Sequence, residues 1–444
     1  MRRLIVASLT ALSVYASAGL TDAHAASENS AQETLQQQIE KAAAGSTLVL
    51  APGVYEGPII LSKPIRIEAP AEGAVTIVNH TDEAAIMIQS EHAAIVGIEI
   101  VDNGVKETAA VHVKGAHAWL ERLRITTEAH GIMLEDADDS VMINNTIHAG
   151  ELSIAKLVEK GNGIDLFNSH RVRITGNSIT LMHDGIYAEN SEDTFIEGNY
   201  IELSRYGIHC MYTSGTVIQN NHGSMNITGS MIMAARQTKV SGNIFEKQSE
   251  NVNSQGILLF NAHESEITNN IISGNRIGFY VEYSTNNMLS DNEVSYNFIG
   301  LQLADSSQNT ITGNQFIGNV SDATAKGSES NELRGNYWDS FAGIDADGDG
   351  YSDISYAINP FFQSLVQKRP PFQLFFRAPG IVFVEGLYSA SRLEWSTDTS
   401  PRMSPSLALP SNDSQHSSWK TGVTAAALLL SALSVVLLSR RKSE

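Results

Sequence analysis

The chain has 444 residues, enough to bury a large core, and its 29 basic and 49 acidic side chains give it a formal net charge of −20 at pH 7. Nucleic-acid-binding proteins normally present a basic face, so this balance disfavours that class. The only cysteine, Cys210, excludes an intramolecular disulfide, and stability must therefore come from a packed core.

The first 25 residues have the pattern of an export signal. Two arginines precede an apolar run over residues 4–20, and Ala23-His24-Ala25 fits the small-x-small cleavage pattern. We therefore expect the mature chain to begin near Ala26 and to work outside the cytoplasm, in an oxidising compartment.

A capping helix is predicted at the start of the mature chain, within residues 26–45. Residues 30–41 have helical spacing, with Leu35 and Ile39 on one side and Gly45 to stop the helix. Because solenoids need capped ends, we expect this helix to cover the first coil of the repeat region that begins at residue 46.

Two residue types recur every 22 residues through the middle of the chain. The asparagines shift once, by five residues, and are Asn177, Asn199, Asn221, Asn243, Asn270, Asn292, Asn314 and Asn336. The glycines lie 14 residues ahead of them and are Gly163, Gly185, Gly207, Gly229, Gly256, Gly278 and Gly300. A fixed period of this size is typical of a solenoid. Two turn residues per period, separated by short alternating apolar stretches, predict the coil of a parallel β-helix over residues 46–340. A leucine-rich repeat would need a fixed leucine pattern, which the sequence does not have.

Period-2 alternation within a coil assigns its side chains to the core or to the surface. In the coil that begins at Gly163, Ile164 and Leu166 point inward, whereas Asp165 and Phe167 point outward. The same register makes Cys210 a small, buried core residue, and it predicts the inward pairs Ile186/Ala188, Ile208/Cys210, Ser230/Ile232, Ile257/Leu259, Phe279/Val281 and Leu301/Leu303. Asparagine tolerates the left-handed backbone of a tight bend, so the recurring asparagines are expected at such bends. Their stacked side chains are expected to hydrogen-bond along the solenoid and to have a structural role.

The same register aligns outward side chains into two columns. One column is Asp165, Tyr187, His209, Met231, Leu258, Tyr280 and Gln302, and its neighbour is Phe167, Glu189, Met211, Met233, Phe260, Glu282 and Ala304. Neighbouring coils lie about 4.8 Å apart. His209, Met211, Met231 and Met233, here called the His/Met patch, would therefore form a compact group on an exposed face. Imidazole and thioether ligands favour a soft ion such as Cu(I). A methionine-rich contact surface is the alternative, and Met182, His183, His222 and Met225 are weaker candidates near the turns.

A second candidate site is the Asp-rich loop, which contains Asp345, Asp347, Asp349 and Asp353. Alternating carboxylates in a loop bent by glycines match the first half of a calcium-binding loop. Tyr356 stands where the bidentate glutamate would be, so the motif is shortened. We expect Ca²⁺ here, with a plain acidic turn as the alternative.

No catalytic set emerges from the sequence. The Gly-x-Ser-x-Gly and His-Glu-x-x-His motifs are absent, and the one cysteine is predicted to be buried. The two outward columns contain no aspartate cluster and no arginine or lysine, whereas β-helix enzymes that cleave acidic polysaccharides place several aspartates on Ca²⁺ beside a basic residue. The chain is therefore predicted not to be an enzyme. The competing class is a carbohydrate-binding or polysaccharide-lyase-type β-helix.

The C-terminal part contains a predicted membrane anchor. Residues 341–390 are expected to form a C-terminal cap and 391–420 a polar linker. Residues 421–439 include the apolar run Val423–Leu438 and are followed by three basic residues, so they predict a transmembrane helix with the body of the protein outside.

These stretches resemble the NosD family, the periplasmic maturation proteins of nitrous oxide reductase. The resemblance covers most of residues 45–390, and the matching segments are Gly161–Phe167, Asp184–Glu189, Arg205–Tyr212, Gly335–Ser340, Asp345–Asp353 and Arg369–Pro371.

The resemblance implies a right-handed, pectin-lyase-like parallel β-helix in the periplasm. It also implies three kinds of partner: an ABC transporter (ATPase and permease), a copper-chaperone lipoprotein, and a client enzyme, which is nitrous oxide reductase or a related copper-dependent reductase. His209, Met211 and Met233 match the family pattern, and Glu189 matches the acidic residue of the preceding coil. Met231 is peculiar to this sequence. The copper is expected to be bound transiently as Cu(I), and residues 374–384 are expected to dock on the transporter.

Overall fold

The structure is a computed structural model that describes residues 33–103, 107–150, 154–248, 254–328, 330–375, 378–388 and 395–405. The predicted signal peptide, the predicted membrane helix at 421–439 and most of the predicted linker lie outside these ranges. Within the predicted linker at 391–420, Thr397–Asp398 form a strand that pairs with Leu333 of the last coil, so this part is folded into the first sheet. Within the described ranges, no helix has the length and apolar character needed to cross a membrane.

Helix α1 (Leu35–Lys41) precedes the first coil. The Thr34 side chain accepts a hydrogen bond from the backbone N–H of Gln37, and the Gln37 side chain accepts one from the backbone N–H of Thr34. This reciprocal capping box fixes where the helix begins. Leu35 and Ile39 are buried in the core, so the apolar side of the helix covers the open end of the solenoid.

Three sheets run the length of the molecule, because each coil contributes one strand to each sheet, and the strands of successive coils are parallel. Only at the C-terminal end of the first sheet do two described strands, Tyr356–Ala357 and Thr397–Asp398, pair antiparallel. The first sheet contains β1 (Thr47–Val49), β4 (Arg66–Glu68), β7 (Ala94–Val96), β10 (Trp119–Glu121), β13 (Val141–Ile143), β16 (Arg173–Thr175), β19 (Phe195–Glu197), β22 (Val217–Gln219), β25 (Lys239–Ser241), β28 (Glu266–Thr268), β31 (Met288–Ser290), β34 (Thr310–Thr312), β37 (Glu332–Arg334), β40 (Thr397–Asp398) and β39 (Tyr356–Ala357). The second contains β2 (Gly53–Glu56), β5 (Val75–Asn79), β8 (Glu99–Asp102), β11 (Arg124–Thr127), β14 (Thr146–His148), β17 (Ser178–Thr180), β20 (Tyr200–Glu202), β23 (His222–Ser224), β26 (Ile244–Glu246), β29 (Ile271–Ser273), β32 (Glu293–Ser295), β35 (Gln315–Ile317) and β38 (Tyr337–Trp338).

The third sheet carries the candidate site. It contains β3 (Ile59–Leu61), β6 (Ile86–Ile88), β9 (Ala109–Val113), β12 (His130–Glu135), β15 (Ile164–Phe167), β18 (Asp184–Glu189), β21 (Tyr206–Met211), β24 (Thr228–Met233), β27 (Gln255–Phe260), β30 (Ile277–Glu282), β33 (Ile299–Ala304) and β36 (Ser321–Lys326). The predicted parallel β-solenoid with coils of about 22 residues is thus confirmed.

Short helices lie outside the sheets. A 3-10 helix at Ile154–Glu159 occupies the insertion between β14 and β15. After the last coil come α2 (Phe361–Lys368), a 3-10 helix at Pro370–Phe375 and α3 (Pro379–Leu387).

The recurring asparagines and the recurring glycines, here called the asparagine ladder and the glycine ladder, have different physical roles. Each asparagine of the series from Asn177 to Asn336 accepts, through its Oδ1, hydrogen bonds from the backbone N–H and the Nδ2 of the asparagine one coil earlier, as Asn221 does from Asn199 at 2.9 Å for both bonds. The ladder asparagines were expected at a left-handed bend, and this was wrong: the left-handed residue is the one before, such as Asn220 with φ 55°.

The glycine ladder lies inside the strands of the third sheet, where the sequence had suggested a turn. A Cβ built on Gly207 would lie 2.5 Å from the carbonyl oxygen of Gly229 on the next coil. Glycine is therefore needed there because the backbones of successive coils approach closely.

Candidate functional site

The register of the third sheet places the His/Met patch on two adjacent strands. His209 of β21 pairs with Met231 of β24, and Met211 pairs with Met233. On the other side, Tyr187 and Glu189 of β18 pair with His209 and Met211. The pairing continues through both predicted outward columns. The inward pairs are also as predicted, with Ile208, Cys210 and Ile232 fully buried.

His209 was expected on an exposed face, and this was wrong: it keeps only 6 % of its surface. The Tyr187 ring lies 4.9 Å from the imidazole between centroids, and the Tyr206 ring meets it edge-on at 5.0 Å. Two aromatic neighbours thus cover an outward side chain. Met211, Met231 and Met233 are half-buried. The patch is therefore sheltered from solvent at its histidine and open at its methionines.

The two ring nitrogens of His209 have different environments. Nδ1 lies 3.0 Å from Oδ2 of Asp184, which is itself only 1 % exposed. Nε2 is buried, and it has no hydrogen-bond partner among the described residues. Metal-bound histidines commonly use one nitrogen for the metal and the other for a carboxylate. Here Nδ1 faces the carboxylate, which leaves Nε2 for such a ligand.

Asp184 is held by an arginine as well. Arg205 donates from Nε to Oδ1 at 2.8 Å and from Nη2 to Oδ2 at 2.7 Å, a two-point ion pair. Burial disfavours the charged carboxylate, but the bonds from His209 and Arg205 outweigh burial, so the pKa of Asp184 lies below its ordinary value. The Arg205 guanidinium also stacks 4.4 Å from the centroid of the Tyr206 ring.

Tyr187 links Glu189 to the patch. Its hydroxyl donates to Oε2 of Glu189 at 2.8 Å and lies 3.8 Å from Sδ of Met211. Burial, together with the Glu189 carboxylate, raises the pKa of Tyr187 well above its ordinary value. The phenol therefore stays protonated at neutral pH and holds the acidic side chain beside the methionine.

Sequence reasoning missed Asp184 and Arg205. The two outward columns contain no arginine, but Arg205 comes from the turn before β21. Asp184 is the first residue of β18, two residues before the inward Ile186, so period-2 alternation did not assign it to the surface. The signal was present in the sequence, since Asp184 and His209 are 25 residues apart, one coil plus three positions. His130 and Asp165 repeat this diagonal, with Nδ1 3.0 Å from Oδ2.

Cys210 lies inside the solenoid and takes no part in the patch. It is a free, fully buried thiol on the inward side of β21. Burial raises its pKa to about 12. A thiol that stays protonated is a poor metal ligand and a poor nucleophile, which fits the predicted core role.

The Asp-rich loop brings three of its four carboxylates together. One oxygen each of Asp345, Asp347 and Asp349 lies within 4.8 Å of the others. Asp345 also accepts from the backbone N–H groups of Gly348 and Gly350, whereas Asp353 accepts from Ala346 N–H at 2.8 Å. The carboxylates of Asp345, Asp347 and Asp349 thus lie close together, and that of Asp353 stabilises the loop backbone.

The segment 374–384, expected to contact a transporter, has exposed apolar side chains among its described residues. Phe375, Phe383 and Val384 keep between 44 and 68 % of their surface, and so does Leu387, three residues beyond the segment. Of these, Phe383, Val384 and Leu387 lie on α3, beyond the end of the last coil.

The fold and the site define a class: a parallel β-helix protein with a candidate soft-metal site on the outer face of one sheet. Within the chain, residues 150–343 match the model of the NosD family, described as periplasmic copper-binding protein. The resemblance to NosD is thereby confirmed for this stretch, which contains the whole His/Met patch and Glu189. No curated protein matches the chain.

Several solved structures are similar to this chain at low sequence identity. The catalytic unit of a thermostable α-1,3-glucanase from Streptomyces thermodiastaticus is 16 % identical over 69 % of this chain and 62 % of its own, with a TM-score of 0.51. A mannuronic-acid-specific lyase from human gut microbiota is 14 % identical over 68 % of this chain and 83 % of its own, with a TM-score of 0.48. The A-module of an Azotobacter vinelandii mannuronan C-5 epimerase is 15 % identical over 68 % of this chain and 87 % of its own, with a TM-score of 0.42. At these identities the likeness concerns the fold alone.

Proposed function

We propose that this chain is a periplasmic accessory protein that accepts Cu(I) at the His/Met patch and passes it to nitrous oxide reductase or a related copper-dependent reductase. The observation that carries the proposal is the buried Nε2 of His209, which has no hydrogen-bond partner in the described part of the chain although Nδ1 bonds Asp184. A buried polar atom without a partner is costly, so it suggests a ligand that is bound in the working state. The family match over the same residues supports copper as that ligand.

The donor set suits transient Cu(I). One imidazole nitrogen and the thioethers of Met211, Met231 and Met233 are ligand types that match a soft ion such as Cu(I). The methionines are half-buried, so the metal can enter and leave on that side. Glu189, held by Tyr187, supplies a nearby negative charge for the cation. The role proposed is that of a carrier, without a catalysed reaction.

Cu(I) titration tests the patch. The double variant His209→Ala with Met211→Ala is expected to lose affinity for Cu(I) by at least about 100-fold, since it removes the nitrogen ligand and one sulfur. The matched control is His222→Ala with Met225→Ala, another histidine–methionine pair that lies at β23, on the second sheet. Competition against a Cu(I) chelator gives both affinities. Equal affinity of the site variant and the unsubstituted protein would rule the site out.

The C-terminal cap is proposed to dock on the permease of an ABC transporter, with its ATPase, while a copper-chaperone lipoprotein delivers the ion. The exposed apolar side chains of α3 support this role, because such groups mark protein or membrane contacts. A C-terminal membrane helix would hold the protein at the inner membrane. Co-purification with the permease should disappear when residues 370–388 are deleted, and its persistence would argue against docking there.

We also propose that the Asp-rich loop binds Ca²⁺ and stiffens the C-terminal cap. Support comes from the converging oxygens of Asp345, Asp347 and Asp349, since Ca²⁺ prefers carboxylate ligands. Added Ca²⁺ is expected to raise the thermal midpoint of the protein, and Asp347→Asn with Asp349→Asn should remove that increase. A midpoint that does not respond to Ca²⁺ would leave the loop as a plain acidic turn.

The alternative function is carbohydrate binding or polysaccharide lysis. Arg205 and Asp184, together with Tyr187 and His209, give the outer face polar groups that such an enzyme could use. Against this, the raised pKa of Tyr187 disfavours the phenolate that would abstract a proton. Formation of ultraviolet-absorbing unsaturated ends from uronic-acid polymers would favour the alternative.

A further inference from the structure

We propose that Asp184 is a positioning residue of the His/Met patch: it holds His209 in the tautomer that carries its proton on Nδ1, and Arg205 holds Asp184 in turn. The ring orientation and the free lone pair on Nε2 are then set before any metal arrives. The inference deepens the proposed function, but its first experiment needs no metal and stands independently of copper binding.

The hydrogen-bond capacities of the three side chains determine the tautomer. Arg205 can only donate, and it occupies both oxygens of Asp184. The ionised carboxylate can only accept, so Nδ1 of His209, 3.0 Å from Oδ2, must be the donor. With the proton on Nδ1, Nε2 carries a lone pair, and a buried lone pair without a partner costs less than a buried N–H without one.

Arg205 also limits where the Asp184 carboxylate can lie. The guanidinium makes two parallel bonds to Asp184 and stacks on Tyr206, whose ring edge in turn meets His209. The side chains therefore form a closed set of contacts: Asp184 binds His209, Arg205 binds Asp184, and Tyr206 lies between Arg205 and His209. Such an arrangement restrains the imidazole from two directions.

A plain structural ion pair between Asp184 and Arg205 is the competing explanation. In that case the tautomer of His209 would not depend on Asp184. Position 184 also accepts apolar side chains elsewhere in the fold: Ile277 and Ile299 occupy it in later coils. Asp184→Val is therefore expected to fold, which makes it a suitable variant for separating the two explanations.

The first experiment reads the tautomer by long-range ¹H–¹⁵N correlation on protein labelled at its histidine rings, without metal. His209 is assigned from the signals that vanish in His209→Gln. The unsubstituted protein is expected to show a protonated Nδ1 and an unprotonated Nε2, and Asp184→Val should introduce the Nε2–H form. A protonated Nε2 in the unsubstituted protein, or an unchanged His209 signal in the variant, would overturn the inference.

The second experiment measures Cu(I) affinity. Asp184→Val is expected to bind Cu(I) about 10-fold or more weakly, the usual effect of losing a carboxylate behind a metal-bound histidine. The matched control is Asp165→Val, on the same face and 8 % exposed. Asp165 bonds His130 and Asn162, whereas the carboxylate that His209 contacts is that of Asp184. In the Asp165→Val protein, the His209 nitrogen signals and the Cu(I) affinity should not change.

The outcomes of the two experiments are distinguishable. Suppose that replacing His209 and Met211 removes Cu(I) binding but Asp184→Val leaves the affinity unchanged. The positioning role of Asp184 is then overturned, and the proposed function is kept. If replacing His209 and Met211 has no effect on Cu(I), the proposed function fails, while the tautomer result still stands or falls on the nitrogen shifts alone.

Discussion

Replacing Asn221 by alanine is expected to lower the free energy of unfolding by about 3–5 kcal/mol, because several buried polar groups lose their partners at about 1–3 kcal/mol each. Asn221 is 1 % exposed. Its Oδ1 accepts from the backbone N–H and the Nδ2 of Asn199, and its Nδ2 donates to the Ile196 carbonyl and to Asn243. Alanine can replace none of these bonds.

Urea unfolding of the full-length protein, followed by circular dichroism, measures this loss. Gln219→Ala is the matched control, since Gln219 is two residues earlier and partly exposed, and its side chain donates a hydrogen bond to Glu197. Its expected cost is below about 1 kcal/mol. Coils of a solenoid interact mainly with their neighbours, so hydrogen exchange should increase first around β22 and β25. Similar midpoints for the two variants would show that the ladder contributes little.

Gly207→Ala is expected to destabilise the protein by about 2–4 kcal/mol, because a single methyl group collides with backbone. Its Cβ would lie 2.5 Å from the carbonyl oxygen of Gly229 and 3.2 Å from Nδ2 of Asn226. The first of these is backbone of the next coil and cannot rotate away, so β21 and β24 must separate. That separation would also move His209 relative to Met231, and Cu(I) affinity should fall together with stability.

Gly380→Ala is the opposite control for this substitution. A Cβ there meets nothing within 4 Å, and the residue lies in α3. Alanine favours a helix over glycine by about 0.5–1 kcal/mol, so this variant should be neutral or slightly stabilised. A Gly207→Ala protein with an unchanged urea midpoint would show that the coils can separate at little cost.

The fold was predictable because a solenoid repeats the same local geometry. Once the period is 22 and the alternation is 2, the residue above any given residue is known, so the pairings of His209 with Met231 and of Met211 with Met233 follow by addition. The burial of Ile208 and Cys210 follows from the same two periods. The two periods predict the side of the strand on which each Cβ lies, but they do not predict the conformation of the rest of the side chain.

Both errors in the site come from that limit. His209 points outward as its register requires, yet Tyr187 and Tyr206 lean over it and bury it. Asp184 lies on the neighbouring coil, three register positions away from His209, and Arg205 comes from a turn. Comparing only the residues aligned within one column does not find such contacts. The role of the glycine ladder was misjudged for a related reason: how closely two backbones approach is a property of the packed coils.

The sequence by itself determined the coil, its period, its inward and outward residues and the identity of the His/Met patch, because these depend on regular backbone geometry and on residue type. Only the tertiary structure decided that His209 is buried with one nitrogen on Asp184 and the other without a partner among the described residues. That outcome depends on how long side chains from neighbouring coils pack over one another. The repeat thus places the candidate ligands, and the contacts between coils determine which atom of each ligand is available.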